Sequence, residues 1–255
     1  MHKIDKLKDM YNKVSKHSGY QVIASPLLEL VSDKDIKVTS RSERERFEYI
    51  QKIVDLTGKK VADVGGNTGF FSFESVNAGA KKVSYIEGNR DHAEFVSLAS
   101  EVIGFSDRIE ISNEYFKFNN SDVIFDVMFI LNVLHHVGDD YGNKDLSINF
   151  AKKEIINSLK NIASQTKILI FQIGYNWKGD VTLPLFENGT KNEQIDFLVS
   201  SLGDFYDIMS IGIAEKNEKN VVYHEKNENN VAKFDSYGEF LNRPLFVMRS
   251  KKCII

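Results

Sequence analysis

The sequence predicts an α/β fold, an open sheet of mostly parallel strands with helices on both faces, and three observations predict it. Short apolar runs alternate with segments of helical periodicity between residues 58 and 172, the order that parallel pairing with right-handed crossovers produces. The run Val61-Ala62-Asp63-Val64 leads into Gly65-Gly66-Asn67-Thr68-Gly69 and then into the apolar Phe70-Phe71-Ser72. That is a strand, a glycine turn and a helix start, the pattern of a nucleotide-cofactor site. An acid, Glu87, ends the second apolar run, Lys82-Val83-Ser84-Tyr85-Ile86. It lies near the roughly 20 residues beyond the loop at which a carboxylate grips ribose hydroxyls.

Each element has its own signal. Ile4, Leu7, Met10, Tyr11 and Val14 recur at helical spacing in residues 1–18, and a loop follows around Gly19-Tyr20 and Ser25-Pro26. Residues 40–56 read as a helix with Phe47, Ile50, Ile53 and Val54 inward and Arg41, Arg44, Glu45 and Arg46 outward. Strands are expected at 60–64, 83–86, 108–111, 125–132 and 167–172, and helices at 70–78, 91–103 and about 145–163. Beyond them the alternation breaks, with a helix at 193–201 and strands at 205–214 and 244–249. The stretch 215–230, rich in Lys, Glu and Asn, reads as an exposed hairpin tip or loop inside a polar insertion spanning about 215–242. The expected organisation is a helical cap over 1–57 packed on a core of 58–255.

Composition narrows the function. The chain has 33 basic and 36 acidic residues, a net charge of −3. A protein that holds a phosphate backbone usually shows a basic balance, so nucleic acid is disfavoured and a small-molecule partner expected. One cysteine, Cys253, permits no disulfide within the chain. No apolar run has the length of a membrane span and the first residues lack a signal-peptide core, so the cytoplasm is the expected compartment.

The glycine spacing departs from the dinucleotide pattern Gly-x-Gly-x-x-Gly, because Asn67 replaces the middle glycine and the last comes one residue early. Asp63 stands inside the strand, two residues before the first glycine. The run hydrophobic-x-Asp-hydrophobic-Gly-x-x-x-Gly resembles motif I of the class I S-adenosylmethionine (SAM) dependent methyltransferases. The resemblance continues through Tyr85-Ile86-Glu87-Gly88-Asn89 and through Phe125 to Val137, which is similar to the strand-four motif of the small-molecule branch. It implies a Rossmann-like sheet of seven strands with the last antiparallel, and SAM as cofactor, converted to S-adenosylhomocysteine (SAH). The cofactor residues it implies are Asp63, Gly65, Gly66, Asn67, Gly69, Glu87, Gly88, Asn113, Leu131 and Asn132. Glu87 would accept both ribose hydroxyls, and Asn113 would face the adenine amine where the family often has an acid.

Methyl transfer from a sulfonium needs alignment and exclusion of water more than covalent help. His135 and His136, after strand four on the rim where open α/β sheets bind substrates, are the candidate catalytic bases. His136 with Asp139 or Asp140 has the ligand chemistry of a divalent-ion site, but so short a cluster reads first as a polar loop, and no metal is expected. Gln172, Tyr175 and Trp177 follow strand five and are candidate acceptor contacts, the lone Trp177 by stacking on a sugar ring. Tyr11, with Tyr20 and His17, reads either as part of an N-terminal lid over the cofactor, with Tyr11 reaching the acceptor, or as a helix that only covers the sheet edge. Residues 171–180 with Leu183-Pro184-Leu185-Phe186 are similar to enzymes of bacterial capsule and lipopolysaccharide gene clusters. The expected reaction is therefore O-methylation of a sugar, sugar nucleotide or phosphorylated precursor of a surface polysaccharide. Two alternatives stand beside it. The loop Asp63 to Ser72 also resembles enzymes that modify the tRNA wobble base, for which lysines 3, 6, 8, 13 and 16 would supply the basic patch. A non-catalytic nucleotide-binding module is the other.

Overall fold

The computed structural model describes residues 3–13, 19–31, 36, 38, 40–119, 122–218 and 220–253. The chain divides into two compact units, Met1–Phe116 and Lys117–Ile255.

In the first unit three parallel strands, β1 (Lys60–Val64), β2 (Lys82–Ile86) and β3 (Ile109–Ser112), lie in the order β3-β2-β1. Asp63 is in register with Tyr85, and Ile86 with Ser112. The unit's helices are α1 (Lys3–Asn12), α2 (Glu43–Gln51), α3 (Phe70–Asn77) and α4 (Arg90–Val102). α4 begins where the Asn89 side chain accepts the free N–H groups of Asp91 and His92, at 2.9 and 3.4 Å. α1 packs on α4 through the edge-to-face contact of Tyr11 with Phe95 at 5.5 Å. α2 meets α3 through Phe47, whose ring lies 6.4 and 6.2 Å from Phe70 and Phe71. Arg46, expected outward, is buried. Glu43 is buried one turn before it at 3.6 Å, and its guanidinium lies 5.1 Å from the Phe71 ring. An ion partner and an aromatic face let a charge sit where the periodicity alone points to solvent.

The second unit holds β4 (Phe125–Leu131), β5 (Thr166–Gln172), β6 (Tyr206–Asn217), β7 (Asn220–Glu225) and β8 (Leu245–Ser250), in the order β4-β5-β8-β6-β7. β4 and β5 are parallel, and β8 runs antiparallel to both of its neighbours, as expected for the last strand. Phe129, Phe171 and Phe246 lie fully buried on β4, β5 and β8. α5 (Ile148–Asn161), α6 (Lys191–Leu202) and the single turn α7 (Gly238–Leu241) complete this unit.

The two units hold eight strands among the described residues, not the expected seven. The additional one is β7, which falls in the polar stretch read as a hairpin tip. It pairs with β6 through Ala214↔Tyr223 and its neighbours. Only Tyr223 of its six residues is buried. At the end of the strand order, β7 draws its stability from backbone hydrogen bonds and one inward ring, so its composition stays polar.

Candidate functional site

β1 delivers the chain into a loop that sterics and hydrogen bonds hold open. Gly65 has φ +69° and Asn67 φ +51°, and the Gly65 N–H donates to the Ile86 carbonyl at 2.8 Å, tying the loop to the end of β2. At Gly66 a Cβ would lie 2.6 Å from the Tyr85 ring and 2.9 Å from Asp63 Oδ2, so no side chain fits there. The half-buried Glu87 is the fixed centre of this half-site. Its Oε2 accepts the Asn67 N–H at 2.9 Å and its Oε1 the Asn89 N–H at 2.8 Å. A carboxylate oxygen can accept more than one donor, chemistry that suits a ribose diol. The Asn113 amide donates to the carbonyls of Glu87 and Gly88 at 2.8 and 3.3 Å. It braces the strand end with its nitrogen and has its oxygen left for a ligand amine.

Two residues of this half-site escape sequence reasoning. Gln21 Oε1 accepts from Thr68 Oγ1 and from the Phe70 N–H, both at 3.2 Å, and so caps the start of α3 from 47 and 49 residues away. The Tyr115 ring is half exposed and lies so close to Gly88 that a Cβ there would approach it to 2.4 Å. No spacing rule flags either one. Tyr11, expected toward the acceptor, is buried, with its hydroxyl donating to the Gln21 carbonyl. It supports the Gln21 segment and presents no surface to a ligand. His17 and Lys16 lie outside the described residues.

Asp63 is 3% exposed and accepts the Ser72 hydroxyl at 2.7 Å. Burial, reinforced by the Glu87 charge and opposed by the Ser72 bond, pushes its carboxyl up to about 6. The folded protein therefore binds a proton here that the unfolded chain has already released between about pH 4 and 6. Stability from this group is full below pH 4 and falls as pH rises through 6, by about 3 kcal/mol. In Asp63→Asn this loss disappears. Denaturant titration should show the variant gaining on wild type at pH 7 relative to pH 4.5, and an unchanged difference would refute the assignment.

In the second unit β4 ends at Leu131, and Asn132 turns the chain with φ +63°. Asn132 donates through Nδ2 to Gln172 Oε1 at 3.1 Å and accepts at Oδ1 from Arg243 at 2.8 Å. Gln172 Nε2 donates to the Arg243 carbonyl at 2.9 Å. The Arg243 guanidinium pairs with Glu239 Oε1 at 2.7 Å, and that oxygen also accepts the Tyr175 N–H at 2.9 Å. This network joins the ends of β4 and β5 to the segment before β8. Its buried Gln172 has both amide atoms engaged and serves as a brace. Tyr175 donates its hydroxyl to the Asn242 carbonyl at 2.7 Å, and burial drives that phenol far above its usual range.

The two histidines differ. His135 is 3% exposed and its Nδ1 accepts the Gly174 N–H at 3.3 Å. The imidazole lies so tightly on Gly174 that a Cβ there would sit 2.9 Å from His135 Cδ2. An accepting Nδ1 puts the ring proton on Nε2, so the outer nitrogen is a donor. The His136 ring lies tilted beside it at 4.2 Å, with Nδ1 3.6 Å from Asp140 Oδ2, longer than a hydrogen bond. His136, Asp139 and Asp140 can bring one ligand atom each within 4.8 Å of one another. Trp177, expected to stack on a ligand, is buried instead. Its Nε1–H donates to the Val137 carbonyl at 2.6 Å and the Lys178 ammonium lies 4.3 Å from its ring.

No family model matches the chain. A curated relative, the tRNA U34 carboxymethyltransferase of Campylobacter hominis, is 31% identical over 103 residues, which is 37% of this chain and 33% of that protein. The chain thus spans about a third of the length of the curated relative it matches. Among solved structures it is similar to the bifunctional kinase-methyltransferase WbdD, with TM-score 0.57 and 15% identity over 96% of this chain and 46% of that one. It is also similar to a structure described as an S-adenosylmethionine-dependent methyltransferase from Listeria monocytogenes. There the TM-score is 0.52 and the identity 14%, over 82% of this chain and 97% of that one. These likenesses establish that the fold is the one found in methyltransferases.

Proposed function

We propose that the chain is a SAM-dependent methyltransferase that methylates a hydroxyl of a small polar acceptor, a sugar or a sugar-bearing precursor of a surface polysaccharide, in the cytoplasm. The observation that carries the reading is Glu87, pinned by two backbone N–H groups beside a glycine loop whose Gly66 admits no side chain. Glu87 holds the ribose hydroxyls, Gly65, Gly66 and Gly69 give the backbone access to the ligand, and Asn113 Oδ1 takes the adenine amine. Asp63 orients the loop through Ser72. The resemblance assigns Leu131 and Asn132 to the donor's methionine end. The cofactor supplies a methyl group on a sulfonium, already activated toward an oxygen nucleophile. His136 takes the hydroxyl proton as that oxygen gains its methyl group.

Calorimetric titration with SAH is the test. One saturable site per chain is expected, with NAD giving no heat. A folded protein that binds NAD and not SAH would overturn the reading.

The similarity to the tRNA carboxymethyltransferase favours a second reading, in which the acceptor is a tRNA wobble base. Among the lysines it would use, Lys3 pairs with Glu101 and Lys13 with Asp91, each at 2.5 Å, which removes two charges from the basic patch. Saturable tRNA binding whose affinity drops steeply between 50 and 200 mM salt, as roughly expected for phosphate contacts, would replace the first reading with this one.

A further inference from the structure

The second unit carries an open cleft of about 350 Å³ that none of the donor or proton-transfer roles above uses. Its size is at the lower end for a small-ligand pocket, room for one ring rather than a nucleotide chain. Its floor rests on Tyr175 and Phe186, which are buried against each other edge to face at 5.9 Å. The rest is polar and unspent. Among the described residues, the side-chain amides of Asn176 and Asn188, the Glu187 carboxylate and Glu239 Oε2 make no hydrogen bond to protein, though all four residues line the cavity. Glu239 is nevertheless held still, because its Oε1 takes the Arg243 guanidinium and the Tyr175 N–H.

The charge balance of this lining selects among ligands. Glu187, Asp235 and Glu239 are acids, and the single ammonium, Lys233, already lies 3.3 Å from Asp235. A phosphate placed here meets carboxylates with no unpaired cation to offset them. A hydroxyl-rich ring meets what it needs. Each free amide offers a donor and an acceptor, and a carboxylate oxygen takes a hydroxyl proton. We infer that this cavity seats a neutral monosaccharide ring, the non-reacting part of the acceptor, and excludes phosphate at that position. Its link to methyl transfer rests on the reading above, whereas the binding itself does not.

The experiment titrates methyl glycosides of glucose, mannose, galactose and rhamnose into protein saturated with SAH, each paired with its 1-phosphate, and follows saturation-transfer NMR. At least one glycoside should saturate, and its 1-phosphate should bind at least about tenfold more weakly. Asn176→Leu and Asn188→Leu remove amides that hold nothing in the fold. Each should weaken the glycoside about tenfold at unchanged SAH affinity and unchanged melting temperature. Tighter binding of the 1-phosphate, saturation by none of the glycosides, displacement of the glycoside by tRNA, or full affinity in both leucine variants would overturn the inference. Failure of SAH binding with glycoside binding intact would instead sink the methyl-donor reading alone.

Discussion

Glu87→Ala is expected to reduce SAH affinity by at least about 100-fold in calorimetric titration, the largest single effect on ligand binding in the chain. Two charge-assisted hydrogen bonds to a ribose diol contribute roughly 1.5–3 kcal/mol each, and tenfold in affinity corresponds to about 1.4 kcal/mol. The substitution also frees the backbone it organises. Asn67 N–H, inside the glycine loop, and Asn89 N–H, at the cap of α4, both donate to this carboxylate. Glu87→Gln separates the two contributions. One amide oxygen still accepts, while the amide nitrogen faces an N–H, so affinity should fall by an intermediate amount. Unchanged SAH affinity in Glu87→Ala would remove the ribose assignment and, with it, the chief support for the cofactor.

The loop, Glu87 and Asp63 were legible because each belongs to a pattern closed within about 25 residues: a strand, its turn, and the next strand's end. The braces were not. Arg243 meets Asn132 across 111 positions, and Gln21 reaches Phe70 across 49. Nothing in the sequence near either residue distinguishes it from a solvated charge or amide. Glu239 falls inside the span of about 215–242 read as an insertion and Arg243 just past it, yet Arg243 is 7% exposed and holds the β4 end in place. The same blindness hid β7, whose pairing is backbone chemistry that composition does not record. The difference between His135 and His136 was also illegible, because it depends on which ring nitrogen a distant backbone N–H engages.

Trp177→Ala is expected to destabilise the protein by about 3–5 kcal/mol, the usual cost of truncating a buried tryptophan, and to lower Tm by roughly 10 °C at about 2–4 °C per kcal/mol. Its position in a polar run makes it look like an exposed platform, but the run closes on itself. Trp177 N–H donates to the Leu183 carbonyl and Leu185 N–H to the Tyr175 carbonyl, both at 2.8 Å. The indole folds back against Gly138, where a Cβ would lie 3.3 Å from its ring, and its Nε1–H satisfies the Val137 carbonyl. The ring therefore fastens the loop after β5 to the turn that carries His136. Trp177→Phe keeps most of the volume and loses the Nε1 bond, so a cost of about 1–2 kcal/mol is expected. A stacking platform would behave in the opposite way. Melting temperature would hold in Trp177→Ala while glycoside affinity collapsed, and that result would return the residue to the acceptor site.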